Sequence, residues 1–519
     1  MRDLSRRTLI AAGGLVLAPS GVFAAGASPV AKTTNGPVRG YVDQGIKVFK
    51  GVRYGADTGP RRFRPPRAPT PWTKVLDATA YGPSSPQGSR DDERQSEDCL
   101  FLNVWTPGLG GKRPVMVYLH GGAYSNGSGS SPLYDGVRLC RRGDVVVVTI
   151  NHRLNVFGYG FLAKLAGFAD SGNAGMLDIL LALRWVRDNA AAFGGDPGRV
   201  MVFGQSGGGA KIATMMAMPA AAGLFHAAAT MSGQQVTASG PLHATERMTL
   251  FLDAVGLTRE RAGEAATLPM GKLLEGLSVR DPFTPGGLYF GPVLDERSLT
   301  RHPFWPDAAP QGLKIPMIIG NTHDEARAFV AKSKPDPFEM GWDEVAARIA
   351  PEMRVDIDPD HVVAEYRKLY PDYSPSEVFF AAITAGRSWR GAVIEAEERA
   401  RAGAPAFVYQ LDLPSTVEGG RLRAMHTTDI PLVFDNLAAR GSPVAPSPSA
   451  QSVADRMSEA FIALAKTGNP NHPAIPAWTP YDLTRRATMV FDADTRLVND
   501  PRGAERRLFA KVPYIQPGT

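Results

Sequence analysis

The stretch Val200-Met201-Val202-Phe203-Gly204-Gln205-Ser206-Gly207-Gly208-Gly209-Ala210 constrains the fold more than any other part of the chain. Four apolar residues, two of them β-branched, read as a short strand buried on both faces. Gly-x-Ser-x-Gly follows, and residues 210–218 then read as a helix. Strand, sharp turn and helix form the context in which this pattern makes a nucleophile elbow. The turn forces Ser206 into a strained backbone conformation, and a side chain at Gly204 or Gly208 is expected to collide with the adjacent strand or helix. Ser206 then stands at the carboxyl end of a strand and the start of a helix. Free N–H groups and the positive helix end there favour a developing anion.

Upstream, residues 31–48 alternate in the manner of an antiparallel hairpin, with Gly36 and Gly45 as punctuation. An acidic turn, Ser96-Glu97-Asp98, runs into a strand ending near Trp105. Val115-Met116-Val117-Tyr118-Leu119 is a strongly buried strand ending in the Gly-rich His120-Gly121-Gly122-Ala123-Tyr124. Such a loop can aim several backbone N–H groups in one direction, as an oxyanion hole requires. Residues 145–150 form the next buried strand. An amphipathic helix from Met176 to about Phe193 then ends at Gly194-Gly195-Asp196-Pro197. Strands separated by helices mean crossovers and a mainly parallel sheet, an α/β fold.

The bulk numbers agree with one globular body. The chain has 519 residues, is 44% hydrophobic and 21% charged, and contains no repeat or linker that would divide residues 28–519. The Pro/Ser-rich residues 441–449 read as a surface loop. Arg2, Arg6 and Arg7 against Asp3 account for two of the net six positive charges, and the rest form no basic block, so nucleic-acid binding is not indicated. Ser5-Arg6-Arg7 precedes a Gly/Ala-rich apolar run and the small residues Ala25-Gly26-Ala27. Residues 1–27 therefore read as an export signal, the paired arginines suggesting the twin-arginine route and a periplasmic or secreted product. The run is short for a membrane span and contains Pro19, so no stable membrane anchor is expected. Cys99 and Cys140 are too few for a disulfide framework and read as two free, buried thiols. No His/Cys/Asp spacing suggests a metal.

Taken together the motifs resemble those of the type-B carboxylesterases, the α/β-hydrolase family that includes para-nitrobenzyl esterases and cholinesterases. The likeness is carried by Glu97-Asp98-Cys99-Leu100-Phe101-Leu102-Asn103-Val104, His120 to Tyr124, Asn151-His152-Arg153-Leu154 with Gly158, and Phe193-Gly194-Gly195-Asp196-Pro197 running on to Ser206. It continues through Gly291-Pro292-Val293-Leu294-Asp295, Gly320 to Glu325, His426 to Phe434, and Gly468-Asn469-Pro470-Asn471 with Trp478, nearly the whole chain beyond the leader. The resemblance implies a central, mostly parallel sheet with helices on both faces and cap insertions, one of them over residues 235–287.

A serine hydroxyl needs an imidazole to take its proton, and the imidazole needs a carboxylate to fix its tautomer. Among the nine histidines, His426 lies in a loop after the buried strand 406–411 and opens the segment that resembles the family's base-bearing one. The strand 315–319 ends in Gly320-Asn321-Thr322-His323-Asp324-Glu325, where order and position suit Asp324 and Glu325 equally. The resemblance places the acid on Glu325, with Ala326 where the family has Gly. His323 reads as structural or solvated. The oxyanion donors are expected to be the N–H groups of Gly122, Ala123 and Gly207, with Ala123 at an ordinary φ; the family usually has Ala at the Gly207 position. Ser232 matches a second serine near the family's triad and implies a buried hydrogen-bonding role. The Cys that pairs with the Cys99 position in the family is missing, with Ser85 nearby, and residues 86–96 contain no Trp to form a quaternary-ammonium platform.

These readings imply a serine carboxylic-ester hydrolase working through an acyl-enzyme on a small-molecule ester, without metal or cofactor. Hydrolysis of another acyl bond (amide, carbamate or thioester) is the nearest alternative, because the same triad serves all of these. A non-catalytic binding protein on the same fold is the more distant one. Tyr124, Phe157, Leu288, Tyr289 and Phe290, with Ser232, are the candidates for an apolar substrate pocket.

Overall fold

The computed structural model describes residues 28–88, 94–283, 286–516 and 518–519; the expected export segment, residues 1–27, lies outside them. In chain order the main sheet comprises β1 (Tyr41–Asp43), β2 (Ile46–Arg53), β3 (Phe101–Thr106), β4 (Arg113–Leu119), β5 (Val146–Ile150), β6 (Gly195–Gln205), β7 (Ala227–Met231), β8 (Met317–Thr322), β9 (Ala406–Leu411), β10 (Ala487–Phe491) and β11 (Arg496–Asn499). Across the sheet the order is β11-β10-β9-β8-β7-β6-β4-β5-β3-β2-β1. β4 through β10 run parallel, and antiparallel strands close both edges. The alternating stretch 31–48 makes two hairpins rather than one. Val30–Lys32 and Pro37–Arg39 pair in a small separate sheet with Leu76–Asp77, and the chain crosses at Gly40 into the main sheet.

The long apolar runs of the parallel strands follow from burial on both faces. Val115, Val117 and Leu119 of β4 pack to one side with Val200 and Val202 of β6, against the helices α1 (Ala174–Asn189), α2 (Gly207–Met215) and α3 (Arg390–Arg401). Met116, Tyr118, Met201 and Phe203 face the other side, against α4 (Pro448–Thr467). α2 begins three residues earlier than its sequence suggests. The elbow itself is the helix start, and the three glycines that weaken a helical pattern are the residues the tight turn needs.

Two insertions cover the carboxyl edge of the parallel strands. The expected one holds the helices Pro241–Ala254 and Met270–Gly276. Arg62 ties it down: its Nη1 donates to the carbonyls of Ala265, Ala266 and Leu268, while its Nε donates to Glu97 at 2.7 Å. The second insertion, between β8 and β9, is not apparent in the sequence. Its helices Trp342–Ile349, Pro359–Leu369 and Pro375–Thr384 enclose their own apolar core around Val345, Tyr366 and Phe380. Cys99 and Cys140 are buried and unpaired.

The loop leaving β5 is locked to α1 by a buried ion pair. Arg153 Nε and Nη2 donate to the two oxygens of Asp178 at 2.8 and 2.7 Å, and both side chains are almost wholly removed from solvent. Replacing one partner strands the other charge in an apolar interior. Asp178→Ala is therefore expected to cost about 3–5 kcal/mol of folding free energy. Equilibrium urea unfolding measures it, and a loss below about 1 kcal/mol, the range of exposed pairs, would refute the assignment.

Candidate active site

The elbow has the strained geometry its sequence implies. Ser206 sits at φ 56°, ψ −127°, and its N–H donates to Met231 O of β7 at 2.8 Å, which pins the turn to the next strand. A Cβ at Gly208 would lie 1.9 Å from Leu119 O, so any side chain there would force β4 and the turn apart. Ser206 Oγ has no hydrogen-bond partner among the described residues.

Glu325 and His426 arrive from the strands beyond. β6, β8 and β9 all point their carboxyl ends the same way, and each contributes one group from the turn that follows it. His426 Nδ1 makes a close hydrogen bond with Glu325 Oε2. The other carboxylate oxygen accepts from Thr322 N–H at 2.9 Å and from the Asn321 amide at 3.2 Å. Burial pushes the Glu325 carboxyl up, but the facing imidazole, the Ser232 hydroxyl and the Thr322 N–H bring it below its ordinary value. A carboxylate at Nδ1 places the ring proton there and leaves the Nε2 lone pair free to accept, the tautomer a general base needs. The Gln205 amide nitrogen stands 3.1 Å from Nε2. Asp324, level with Glu325 on spacing, turns the other way: it binds Arg327 Nε at 3.2 Å and His323 Nδ1 at 3.1 Å, which gives His323 a structural partner. Behind the imidazole, Asp429 is buried and accepts from Tyr409 OH at 2.8 Å. Burial and the charge of Glu325 push its carboxyl up to about 7.

The Gly-rich loop after β4 differs from expectation at Ala123, whose φ is 52° rather than negative. With Gly122 at φ 86° it makes two successive left-handed residues, a conformation that costs an L-residue roughly 1–2 kcal/mol. The structure shows what holds it: Lys211 Nζ on α2 donates to Ala123 O at 2.7 Å and reaches His120 O at 3.3 Å. The same conformation explains the glycine at 207, because a Cβ there would lie 2.0 Å from Ala123 O. The N–H groups of Gly122, Ala123 and Gly207 have no acceptor among the described residues. Lys211 is fully buried with no carboxylate beside it, and desolvation lowers its pKa to about 7. Burial first, and then Lys211 and His120 nearby, lower the His152 pKa well below the ordinary imidazole value.

Ser206 and His426 open into a cavity of about 260 Å³. Of the expected pocket residues, Tyr289 and Ser232 line it, and the Ser232 hydroxyl also faces the Glu325 carboxylate, whose pKa it helps to lower. Leu288 lines a neighbouring cavity that shares Gly287. Tyr124, Phe157 and Phe290 are core residues instead. Each is almost fully buried, and Tyr124 OH donates to Gln235 Oε1 at 2.9 Å. The second insertion and the chain's end supply the rest of the wall: Phe329, Arg354, Arg387, Ser388 and Gln516. Phe329 lies against His426, ring centroids 4.7 Å apart. Sequence reasoning missed these residues, for nothing in the insertion's pattern marks which of its side chains turn inward. Lys211 did carry a signal, a lone cation in the otherwise apolar helix after the serine.

Comparison with known proteins points the same way. The profile of the Carboxylesterase family matches residues 27–509. The para-nitrobenzyl esterase of Bacillus subtilis is 35% identical over 92% of this chain and 98% of its own length. The phenmedipham hydrolase of Pseudarthrobacter oxydans is 34% identical over 89% and 94%. A solved carboxylesterase from Geobacillus stearothermophilus superposes with a TM-score of 0.84 at 36% identity, over 92% of this chain and 99% of its own.

The buried lysine makes stability depend on pH. Unfolded, Lys211 keeps its proton up to about pH 10.5; folded, only to about 7. Between those values the unfolded chain binds the additional proton, so this contribution to stability rises with pH and is flat below the folded pKa. Urea midpoints of the wild type and Lys211→Met at about pH 6 and 9 test this. The wild type is expected to gain relative to the variant at the higher pH, and a constant difference would refute it.

Proposed function

The chain belongs to the carboxylesterase family, and on that premise we propose that Ser206, His426 and Glu325 carry out its ester hydrolysis. His426 Nε2 takes the Ser206 proton as Oγ attacks the ester carbonyl carbon. Glu325 orients the ring through Nδ1 and stabilises the imidazolium. The N–H groups of Gly122, Ala123 and Gly207 receive the tetrahedral oxyanion, each contributing on the order of 3 kcal/mol. Collapse of the intermediate breaks the C–O bond, and His426 returns its proton to the departing alcohol. Water, deprotonated by the same nitrogen, then releases the acid from Ser206.

The observation that carries this reading is the closure of Glu325 on His426 Nδ1, in the cavity that the strained Ser206 enters. Hydrolysis of short and medium p-nitrophenyl esters tests it. Ser206→Ala is expected to lower kcat at least about a thousandfold while remaining folded, and Glu325→Gln to lower it by about 10⁴ through loss of the tautomer. Wild-type rates in a folded Ser206→Ala would refute the assignment. A matched p-nitroanilide reports the preference between ester and amide.

We further propose that residues 1–27 are an export signal and that the enzyme works in the periplasm or outside the cell. The Arg6-Arg7 pair, the Gly/Ala-rich run and the start of the family match at residue 27 support this. Fractionation with N-terminal sequencing of a tagged chain in a bacterial host is expected to find a processed exported form, and Arg6→Lys with Arg7→Lys to retain the precursor inside. Unprocessed cytoplasmic protein in both would refute the proposal.

A further inference from the structure

One wall of the catalytic cavity carries two guanidinium groups, of which only one is ion-paired. Arg354 and Arg387 both line it, and among the described residues no Asp or Glu does. Arg387 is bound to Glu352 and lies over the Phe329 ring at 4.9 Å, next to His426. Arg354 makes no side-chain hydrogen bond or ion pair with any described residue, and its Nε is sealed from solvent without an acceptor. Burial, and then the charge of Arg387, lower its pKa from the ordinary guanidinium value, and the nearby Glu352, itself bound to Arg387, offsets them only in part.

This wall is built, not incidental. Residues Ala385–Trp389 form a π-helical turn that joins the helix before it to α3, and the extra residue per turn brings both Arg387 and Ser388 onto the cavity side. Arg354 N–H donates to Gly386 O at 3.1 Å, and Ile515 N–H donates to Arg354 O at 2.7 Å. Tyr514 OH donates to Arg387 O at 3.1 Å, and Gln516, held by Val236 N–H at 2.8 Å, completes the rim. Three segments distant in sequence are thus fixed by backbone hydrogen bonds around a guanidinium left unpaired. Only its Nε is sealed; the rest of this half-buried guanidinium faces the open cavity, where an anion can supply the partner that no described residue does. Guanidinium matches carboxylate geometry in a way that an ammonium does not.

We propose that Arg354, assisted by Arg387, forms an anion subsite, and that the preferred substrates are esters carrying a free carboxylate, such as half-esters of dicarboxylic acids. The inference rests on Ser206 being the nucleophile of the same cavity. The carboxylate receives the Arg354 N–H groups while the ester carbonyl lies at Ser206. Hydrolysis then consumes one water and yields an alcohol and an acid, the anchored carboxylate remaining unchanged throughout.

Two matched pairs test the subsite and locate the carboxylate: monoethyl adipate against ethyl hexanoate for the acyl side, and the butyrate ester of 4-hydroxybutanoate against butyl butyrate for the alcohol side. For at least one pair, kcat/KM of the wild type is expected to favour the anionic ester about tenfold or more. Arg354→Met is expected to lower that anionic-to-neutral ratio about tenfold, chiefly through KM, and Arg354→Lys to restore part of it. A wild-type ratio at or below one for both pairs, or a ratio unchanged in folded Arg354→Met, overturns the proposal. Should Arg354→Met fail to fold, product inhibition of the wild type decides: adipate against hexanoate, or 4-hydroxybutanoate against butanol, is expected to compete at least tenfold better, and parity in both comparisons overturns the subsite. Failure of the wild type to hydrolyse any of the four esters, anionic or neutral, would instead count against Ser206 as nucleophile.

Discussion

The close approach of the turn after β6 to the carboxyl end of β4 is the constraint on which the rest of the site depends. With only hydrogen at position 208, the backbone of the elbow sits against Leu119 O. That contact holds Ser206 at a positive φ, sets where α2 begins, and brings the Gly-rich loop beside the serine. The loop answers with its own strain at Ala123, and Lys211 holds it from the same helix. Ser206 and the free N–H groups of Gly122, Ala123 and Gly207 therefore share one unit, β4–loop and β6–α2, while Glu325 and His426 come from strands further along the sheet.

Charge is handled in two opposite ways in this interior. Arg153 and Asp178 neutralise each other where nothing but packing is at stake. Lys211 and Arg354, both close to the serine, face carbonyls or open cavity and form no ion pair with a described carboxylate. The positive potential thus concentrates beside Ser206 and the free N–H groups of the Gly-rich loop, and a low-dielectric surrounding makes it effective at short range.

Much of this was legible in the sequence, for physical reasons that differ by element. Strands buried on both faces read as unbroken apolar runs; residues 406–411 coincide with β9 for that reason. The elbow was legible because few sequences satisfy strand, glycine-flanked serine and helix at once. The choice between Asp324 and Glu325 was not legible from spacing: neighbours in one turn point to opposite sides, and the salt link of Asp324 to Arg327 is a tertiary fact. The aromatic candidates divided likewise. Tyr289 reaches the cavity, whereas Tyr124, Phe157 and Phe290 fill core, since an aromatic ring looks the same in sequence whether it lines a cavity or packs. Arg354 and Arg387 stand in an insertion whose helices answer to their own small core, so their inward turn is invisible without the fold.

The parts of the site lie far apart along the chain. His426 meets Glu325 across 101 positions and Gln205 across 221. An entire helical subdomain is interposed between Glu325 and His426. Closing such loops early carries an entropic cost that local contacts do not repay, so these pairings belong late in the route from coil to native state. Secondary structure and compactness can then return before any turnover does. For this protein, regain of activity is the final reporter of refolding, and the time lag between the two measures how long the insertion takes to dock.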